Sequence, residues 1–290
     1  MSQQPNHQNR REFFREVLRR MHEVVAHEFD LNDISIKPIG SDGSRLSIPV
    51  RIEGVDRMGR RVRYFGKIIG GSDILTARTI QFFKNVYLEL SEMEPMFDMT
   101  RSAKEMARHQ HDSLLAIGRI GIPTARPYGY YPVTAEIWLL VAEFIDAKPV
   151  SAIGSLPNKH LDTVFDYLRR MHKAGIFHGD IKPENLMLGD RVYLVDVGHF
   201  AENVPPARKK AYDLACQVAS LLDYAKPDEI VRAARRYYSR KDLKSAADFI
   251  DLVQKRPDIN FPDEIKERLI RLLREGEEGS ARKEKRRAPP

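Results

Sequence analysis

The 290-residue sequence predicts an α+β protein with two lobes, a small one built on an antiparallel sheet with helices and a larger, mostly helical one. Several stretches between Ile34 and Ile145 alternate apolar and polar residues, which favours strands with one buried face. Beyond Ile145, apolar residues mostly recur three and four positions apart, which favours helices. Apolar residues make up 42% of the chain, enough for one large domain or two packed lobes. We place the junction near Glu143–Lys148.

The composition limits the class of protein. The formal net charge is +7, a modest excess that suits polyanionic ligands without identifying one. The single cysteine, Cys216, rules out an intramolecular disulfide and favours a reducing compartment. No apolar run approaches the roughly 20 residues that span a bilayer, and the first residues lack the apolar core of a signal peptide. We therefore expect a soluble, cytoplasmic protein with no transmembrane segment.

The small lobe begins with an amphipathic helix, whose apolar stripe consists of Phe14, Leu18, Met21, Val25 and Phe29. We expect this helix to dock on the rest of the fold rather than on a membrane or a partner. Three antiparallel strands follow over 34–70, separated by turn residues. Helical patterns then cover 75–93 and 102–120, and two further strand candidates cover 125–133 and 136–145.

The large lobe begins with a helical pattern over 158–173 that Gly175 terminates. Two short strands follow, and four helices are predicted over 208–224, 227–239, 243–254 and 262–274. The last residues have no apolar periodicity, which predicts a disordered basic tail. The predicted organisation is thus an N-terminal helical extension (1–32), a small lobe (33–145), a large lobe (146–274) and a tail (275–290).

Charged residues interrupt the apolar runs of FHGDIKPENLMLGDRVYLVDVGHF, residues 177–200. If NLML and RVYLVD pair as a hairpin, Asp180 and Asn185 lie on the loop before it and Asp196 lies at its far end. Carboxylate and amide oxygens are ligands that Mg²⁺ prefers, together with water and substrate phosphate. Lys182 adds a positive charge for a phosphate beside Asp180. These are the parts that phosphoryl transfer requires, because that reaction depends on positioning and electrostatic stabilisation.

The same residues resemble two motifs of the protein-kinase superfamily. His178-Gly-Asp180-x-Lys182-Pro-x-Asn185 resembles the catalytic loop, and Asp196-Val-Gly resembles the metal-binding Asp-Phe-Gly motif. The resemblance implies that Asp180 is the catalytic base, that Lys182 steadies the transferred phosphate, and that Asn185 and Asp196 bind Mg²⁺. Six matching positions in order, with a strand on either side, argue against a chance charged loop. The implied fold is the bilobal protein-kinase-like fold, and the implied nucleotide is ATP.

The resemblance also implies nucleotide-binding residues in the small lobe. Lys67, in the third predicted strand, takes the place of the lysine that reaches the α- and β-phosphates; alternatively it is a solvated strand lysine. The turn IGSDGSR lies where a phosphate-covering loop is expected, and it offers Gly40, Ser41, Gly43 and Ser44. It lacks the full Gly-x-Gly-x-x-Gly pattern, and an ordinary Asp-Gly hairpin turn explains it nearly as well.

Two further assignments complete the nucleotide site. Glu105 is the candidate partner of the strand lysine, although Ser102-x-x-Glu105 also fits a capping box in which the glutamate only satisfies the helix start. Glu89, Glu92 and Glu94 are competing candidates. LLVAEFIDAKPV resembles the hinge between kinase lobes, where backbone groups of Glu143 and Ile145 would contact adenine.

The chain departs from peptide-phosphorylating kinases after Asp196. No Ala-Pro-Glu motif follows, and the helix that carries Asp213, the expected buried brace of the catalytic loop, comes soon afterwards. This compact arrangement resembles the RIO kinases, the small kinase of the KEOPS tRNA-modification complex and the aminoglycoside-type phosphotransferases. Val197 replaces the usual phenylalanine of the metal-binding motif. The resemblance covers residues 36–224.

These observations leave three hypotheses. The first is an ATP- and Mg²⁺-dependent serine/threonine protein kinase of atypical RIO-like type, which Lys182 favours. The second is a kinase of a small hydroxylated molecule such as an aminoglycoside, a sugar or a lipid headgroup, which the missing activation segment favours. The third is a nucleotide-binding pseudokinase, which the complete set of site residues disfavours.

A basic face is predicted on one helix near residues 232–244. Arg232, Arg235, Arg236, Arg240 and Lys244 recur at three- and four-residue steps, with two tyrosines between them. Such a face can bind RNA phosphates or an anionic membrane surface. A solvated helix face explains the same pattern and is the interpretation that we favour.

Overall fold

A computed structural model describes residues 7–39, 47–70, 96–97, 102–256 and 258–275 of the chain. These residues form two compact units. The first unit comprises 7–39, 47–70, 102–115 and 125–145, and the second comprises 96–97, 116–124, 146–256 and 258–275. The predicted helical pattern over 75–93, the turn with Gly40, Ser41, Gly43 and Ser44, and the tail beyond residue 275 lie outside the described residues.

The first unit is built on a five-stranded antiparallel sheet with strand order β1-β2-β3-β5-β4. Its elements are α1 (His7–Phe29), β1 (Asn32–Pro38), β2 (Ser47–Val55), β3 (Arg61–Gly70), α2 (Ala103–Arg119, of which 103–115 belong to this unit), β4 (Pro127–Pro132) and β5 (Ile137–Glu143). The five strands predicted from the alternating pattern are therefore present, and the predicted α+β class is confirmed.

Helix α1 docks on this sheet, as its amphipathic pattern predicts. Val17, Met21 and Val25 are buried in one apolar cluster with the sheet residues Ile52 and Val141. The predicted stripe was wrong at Leu18, which is 44% exposed, because the described i, i+4 row that meets the sheet runs through Val17, Met21 and Val25. The side chain of Phe14, also predicted in this stripe, lies outside the described residues. Burying the apolar side chains of this row stabilises the docked helix by about 25 cal/mol for each Å² of apolar surface removed from water.

The second unit is mostly helical, with a small three-stranded sheet of order β6-β7-β8. Its elements are β6 (Lys148–Pro149), α3 (Asn158–Lys173), β7 (Leu186–Leu188), β8 (Val192–Leu194), α4 (Pro206–Ala219), α5 (Pro227–Arg235), α6 (Arg240–Ala247), α7 (Ile250–Gln254) and α8 (Asp263–Arg274). The predicted hairpin is present, since β7 and β8 pair antiparallel with Leu186 opposite Leu194. Gly175 follows α3 with a φ of 72°, the left-handed conformation expected of a helix stop.

Helix α4 forms the centre of the second unit. Every residue from Ala211 to Ala219 is buried, including the polar Asp213 and Gln217. A helix that is buried all round is expected only in the middle of a core. The loop and the hairpin that carry the predicted catalytic residues share this core, because Ile181, Leu186 and Val197 belong to the same cluster.

The basic segment near residues 232–244 does not form one helix, so the prediction of a single helical face was wrong. Helix α5 ends at Arg235 and α6 begins at Arg240. The break has a local cause: the Ser239 side chain accepts from the backbone N–H of Asp242 at 3.2 Å, and the Asp242 carboxylate accepts from the Ser239 N–H at 3.2 Å. The predicted helix over 243–254 is likewise divided between α6 and α7, and α4 ends at Ala219 rather than at 224.

Candidate active site

The predicted catalytic loop of the second unit places Asp180 and Asn185 side by side. The Asn185 amide nitrogen donates to the backbone carbonyl of Asp180 at 2.7 Å and to its carboxylate at 3.1 Å. A single 3₁₀ turn, Pro183–Asn185, makes this return possible, and Asn185 is buried. Because the amide nitrogen is bound on the Asp180 side, the amide oxygen of Asn185 is directed to a different side. That oxygen is the atom that a magnesium ion would need.

Asp196 is brought to the same loop by the main chain. The N–H of Val195 donates to the carbonyl of Asn185 at 3.0 Å, and the N–H of Gly198 donates to the carbonyl of His178 at 2.8 Å. Asp196 itself has a φ of 56°, a left-handed conformation that is uncommon for a non-glycine residue and that occurs often at functional sites. The segment after β8 is therefore held against the catalytic loop on both sides of Asp196.

Two glycines allow this close approach. A Cβ atom at Gly198 would lie 2.8 Å from the carbonyl carbon of Gly179 and 3.0 Å from Cβ of Asp180. Gly179 also has a φ of 74°, which L side chains rarely adopt. The sequence identified these glycines only as members of the two motifs, and the structure gives the physical reason for both.

Asp213 of α4 braces the catalytic loop, as the resemblance implies. Its carboxylate accepts the backbone N–H of His178 at 2.7 Å and that of Gly179 at 2.8 Å, and it is fully buried. The His172 ring lies 3.3 Å from the same carboxylate, and the Tyr238 hydroxyl lies 2.9 Å from the other ring nitrogen. Hydrogen bonds to a buried carboxylate are among the stronger ones in proteins, so this network holds the backbone of the catalytic loop in place.

Lys182 is paired with Asp180 in this arrangement. Its ammonium lies 2.9 Å from the Asp180 oxygen Oδ2. Burial acts against the charged form of Lys182, but the carboxylates of Asp180, Asp196 and Asp258 outweigh it and raise the pKa of the lysine. Lys182 therefore stays a cation beside the proposed base, which is the state that contact with a phosphate requires.

Sequence reasoning missed a second cation at Asp180. The Arg256 guanidinium, from the segment that follows α7, donates to the Asp180 oxygen Oδ1 at 2.8 Å. The two residues lie 76 positions apart, and a lone arginine in a charged segment carries no signal that it reaches the site. Cys216 is fully buried, and burial raises the pKa of its thiol to about 12, which disfavours the thiolate that a nucleophilic cysteine needs.

The donor set fits the magnesium ion that the resemblance implies. No group of three or more His, Cys, Asp or Glu side chains that could hold a metal occurs among the residues that the structure describes. Asn185 and Asp196 offer one amide oxygen and one carboxylate. Magnesium is commonly held by one or two protein groups with phosphate and water as its remaining ligands, so this pair suits it.

The first unit carries the residues predicted to bind nucleotide. Lys67 lies in the middle of β3, between Pro49 of β2 and Leu140 of β5, and is 6% exposed. The alternative of a solvated strand lysine is therefore wrong, because a lysine is almost never so buried unless it is paired. Its role at the α- and β-phosphates stays a prediction.

Glu105 forms the capping box that the sequence offered as one of two interpretations. Its carboxylate accepts from the N–H of Ser102 at 2.9 Å and from its hydroxyl at 2.9 Å, and the Ser102 oxygen accepts from the N–H of Glu105 at 3.3 Å. The cap does not exclude an ion pair with Lys67, which stays a prediction. The competing Glu89, Glu92 and Glu94 lie outside the described residues.

The hinge residues lie at the end of β5. The backbone N–H of Glu143 donates to the carbonyl of Arg126 at 2.8 Å, so this N–H is engaged within the first unit and is not offered to an adenine ring. The expectation that backbone groups of Glu143 and Ile145 contact adenine otherwise stays a prediction.

Comparisons with known proteins find sequence similarity to a kinase. No protein-family model matches the chain. A stretch of 114 residues is 26% identical to Aurora kinase of Saccharomyces cerevisiae and covers 36% of this chain and 29% of that protein. A stretch of 99 residues is 30% identical to a probable bifunctional tRNA threonylcarbamoyladenosine biosynthesis protein of Methanosarcina mazei and covers 34% of this chain and 17% of that protein. The Methanosarcina acetivorans protein of the same description matches to the same extent.

Among solved structures, the kinase domain of Mycobacterium tuberculosis PknI is similar with a TM-score of 0.42 and 12% identity, over 83% of this chain and 96% of that domain. The chain spans less than a third of the length of the curated relatives above. Together with the two motifs, the sequence matches show a resemblance to kinases. Among the described residues, no helix is long and apolar enough to cross a membrane.

Proposed function

We propose that this protein is an ATP- and Mg²⁺-dependent phosphotransferase that moves the γ-phosphate to a hydroxyl group of serine or threonine in a protein. One observation carries the proposal: Asp180, Asn185 and the Asp196 segment are held together by hydrogen bonds and by the approach of Gly179 to Gly198. This arrangement supports the proposal that one carboxylate orients an acceptor while an amide and a second carboxylate hold a metal.

The residues of the second unit supply the positioning and the charge. Asp180 accepts the proton of the acceptor hydroxyl as its oxygen bonds to the γ-phosphorus, and the bond from that phosphorus to the bridging oxygen breaks, so that ADP leaves. Asn185 and Asp196 would hold Mg²⁺, which when bound neutralises charge on the phosphates. Lys182 turns its ammonium to the transferred phosphate. In the first unit, the resemblance assigns Lys67 to the α- and β-phosphates.

We propose a protein acceptor because a lysine, Lys182, lies two residues after Asp180, as is typical of serine/threonine kinases. The short segment between Asp196 and α4, which already begins at Pro206, favours a specialised acceptor over general peptide docking. The alternative acceptor is a small hydroxylated molecule such as an aminoglycoside, a sugar or a lipid headgroup.

We also propose RNA or another anionic surface as a partner, contacted by fewer basic residues than the sequence predicted. Arg236 pairs with Asp162 at 2.6 Å, and Arg235 donates to the carbonyls of Leu272 and Glu275 at the end of α8. Arg232, Arg240 and Lys244 remain exposed. Arg236 is also exposed, but its charge is compensated by Asp162, so this reduced set of cations supports only weak binding to phosphates.

The test is incubation of the full chain with Mg²⁺ and γ-labelled ATP, beside Asp196→Ala. We expect metal-dependent label on serine or threonine that the variant lacks. Lys67→Ala should retain the fold and lose transfer by orders of magnitude, since a catalytic charge placed in a preorganised site contributes about 100-fold or more. Nucleotide binding without labelled protein would favour the small-molecule acceptor. Unchanged transfer by Asp196→Ala would contradict the site assignment.

A further inference from the structure

The Arg256 side chain is fully engaged as a hydrogen-bond donor. A guanidinium has five N–H groups. The Nε and Nη2 atoms bind the two oxygens of Asp258 at 3.0 and 2.5 Å, and Nη2 also binds the Asp180 oxygen Oδ1 at 2.8 Å. The Nη1 atom binds the Tyr212 hydroxyl at 3.2 Å and the Cys216 sulfur at 3.5 Å. The cation is therefore held in one orientation from three sides.

This arrangement ties the guanidinium to the same helix that braces the loop backbone. Tyr212 and Cys216 lie one turn apart on α4, on either side of Asp213 in sequence. Helix α4 thus reaches the catalytic loop twice, through Asp213 on the backbone N–H groups and through Arg256 on the Asp180 carboxylate. The side chain of Arg256 is 12% exposed, so water does little to screen this contact.

The two oxygens of Asp180 have different partners. Arg256 binds Oδ1, whereas Lys182 and Asn185 bind Oδ2. If Lys182 turned to the transferred phosphate and were the sole cation on Asp180, the base would lose its counter-charge at the moment of transfer. Arg256 cannot leave without breaking its contacts to Asp258 and α4.

We propose that Arg256 is a positioning residue for the transfer step: it keeps Asp180 in place and charge-compensated through Oδ1, which leaves Oδ2 to the acceptor hydroxyl when Lys182 moves to the phosphate. This inference rests on the proposed function. It assigns the proton of the hydroxyl to Oδ2, while the phosphorus–oxygen bonds form and break as described above.

The test measures kcat and KM for ATP in the full chain with Mg²⁺, following phosphate release and self-labelling. Arg256→Ala should lower kcat by about 100-fold, because a small misplacement of a catalytic group has an effect of this size. The KM for ATP should not change, since Arg256 contacts no residue assigned to the nucleotide. Millimolar guanidinium chloride should restore part of kcat in Arg256→Ala and none in Asp180→Ala.

Three more variants separate positioning from stability. Arg256→Lys keeps the charge and should retain more activity than Arg256→Ala, and Asp258→Asn should give a smaller loss because it loosens one side of the clamp. Arg170→Gln is the matched control: this half-buried arginine binds the Ile120 carbonyl in the same unit, so its loss should lower the Tm and leave kcat unchanged. If Arg256→Ala fails to fold, the kcat values of Arg256→Lys and Asp258→Asn test the proposal instead.

Each outcome separates the two proposals. Wild-type protein that transfers no phosphate would overturn the proposed function and this inference with it. Active wild-type protein with unchanged kcat in Arg256→Lys, Asp258→Asn and any folded Arg256→Ala would overturn the inference alone. A loss of kcat that guanidinium does not relieve and that parallels the drop in Tm would also overturn it, because that result describes a purely structural arginine.

Discussion

At the scale of single residues, the candidate site depends on contacts that only very small side chains permit. Gly198 approaches Gly179 so closely that a Cβ atom would lie 2.8 Å from a backbone carbon and 2.9 Å from a backbone oxygen. Backbone atoms cannot move aside as the end of a flexible side chain can. The distance between the catalytic loop and the Asp196 segment is therefore set by the absence of a side chain at this position.

Gly198→Ala tests this contact. We expect the variant to lose about 1–3 kcal/mol of stability, the usual effect of overpacking, and to lose phosphotransfer because Asp196 moves relative to Asn185. Gly154→Ala is the control, since a Cβ atom there meets nothing within 4 Å. Urea denaturation and the labelled-ATP assay measure both effects. Full activity in Gly198→Ala would show that the close approach is not needed for the site.

At the scale of elements, the start of α2 combines a structural and a proposed catalytic role in one carboxylate. Glu105 closes the capping box with Ser102, and the resemblance to kinases assigns the same residue to an ion pair with Lys67. A helix cap needs hydrogen-bond acceptors, whereas an ion pair needs a charge. Substitutions that remove one property and keep the other can separate the two roles.

Glu105→Gln and Ser102→Ala form such a pair. The glutamine keeps an acceptor for the cap and removes the charge, so we expect a Tm near that of the wild type and reduced phosphotransfer. Ser102→Ala should remove about 1 kcal/mol of stability, the usual contribution of an N-cap, and leave phosphotransfer unchanged. Thermal unfolding and the labelled-ATP assay measure the two effects. Wild-type activity in Glu105→Gln would mean that the glutamate only caps α2.

At the scale of the whole molecule, the buried His178 links stability to pH. Burial lowers the pKa of His178 from its ordinary value of 6.5, although the carboxylates of Asp213, Asp180 and Asp196 act in the opposite direction. Its Nε2 atom is buried and has no hydrogen-bond partner among the described residues, while Nδ1 lies 3.3 Å from the N–H of Asp180. Burial and the unpartnered Nε2 atom therefore disfavour the protonated ring in the folded state.

The direction of the pH effect follows from this. Well above pH 6.5 the ring is neutral in both states, so the contribution of His178 to stability is fully present. As the pH falls below 6.5 the unfolded chain binds a proton that the folded chain does not, so stability is lost until the folded pKa is reached. We therefore expect the unfolding free energy to decrease as the pH falls below 6.5, with His178 as one contributor.

Urea denaturation of wild type and His178→Gln over pH 5.5–8.5 checks this expectation. The difference between the two free energies should be constant above pH 7 and should shrink at lower pH, because only the wild type can protonate at this position when it unfolds. Parallel curves down to pH 5.5 would contradict the assignment of a neutral buried ring. The difference isolates His178 from the other histidines of the chain.

Local patterns in the sequence were enough to predict most of the elements. Alternation, turn residues and short apolar runs predicted the five strands of the first unit, and the i, i+4 pattern predicted α3 with its stop at Gly175, because these signals depend on neighbours within a few residues. The catalytic loop and the Asp196 motif were readable for the same reason, since their residues follow one another in a fixed order. The prediction of a single basic face failed, because Ser239 caps a new helix at Arg240 and thereby places Arg232 and Arg240 on different helices.

The tertiary structure alone decided which residues meet. Arg256 reaches Asp180 across 76 positions, Tyr212 and Cys216 of a core helix hold Arg256, and Gly198 packs against Gly179. None of these contacts has a periodic signal, because each depends on where two distant segments pack. The sequence by itself determined the chemical groups that this protein possesses, whereas the fold of the second unit decided which of them hold Asp180 in place.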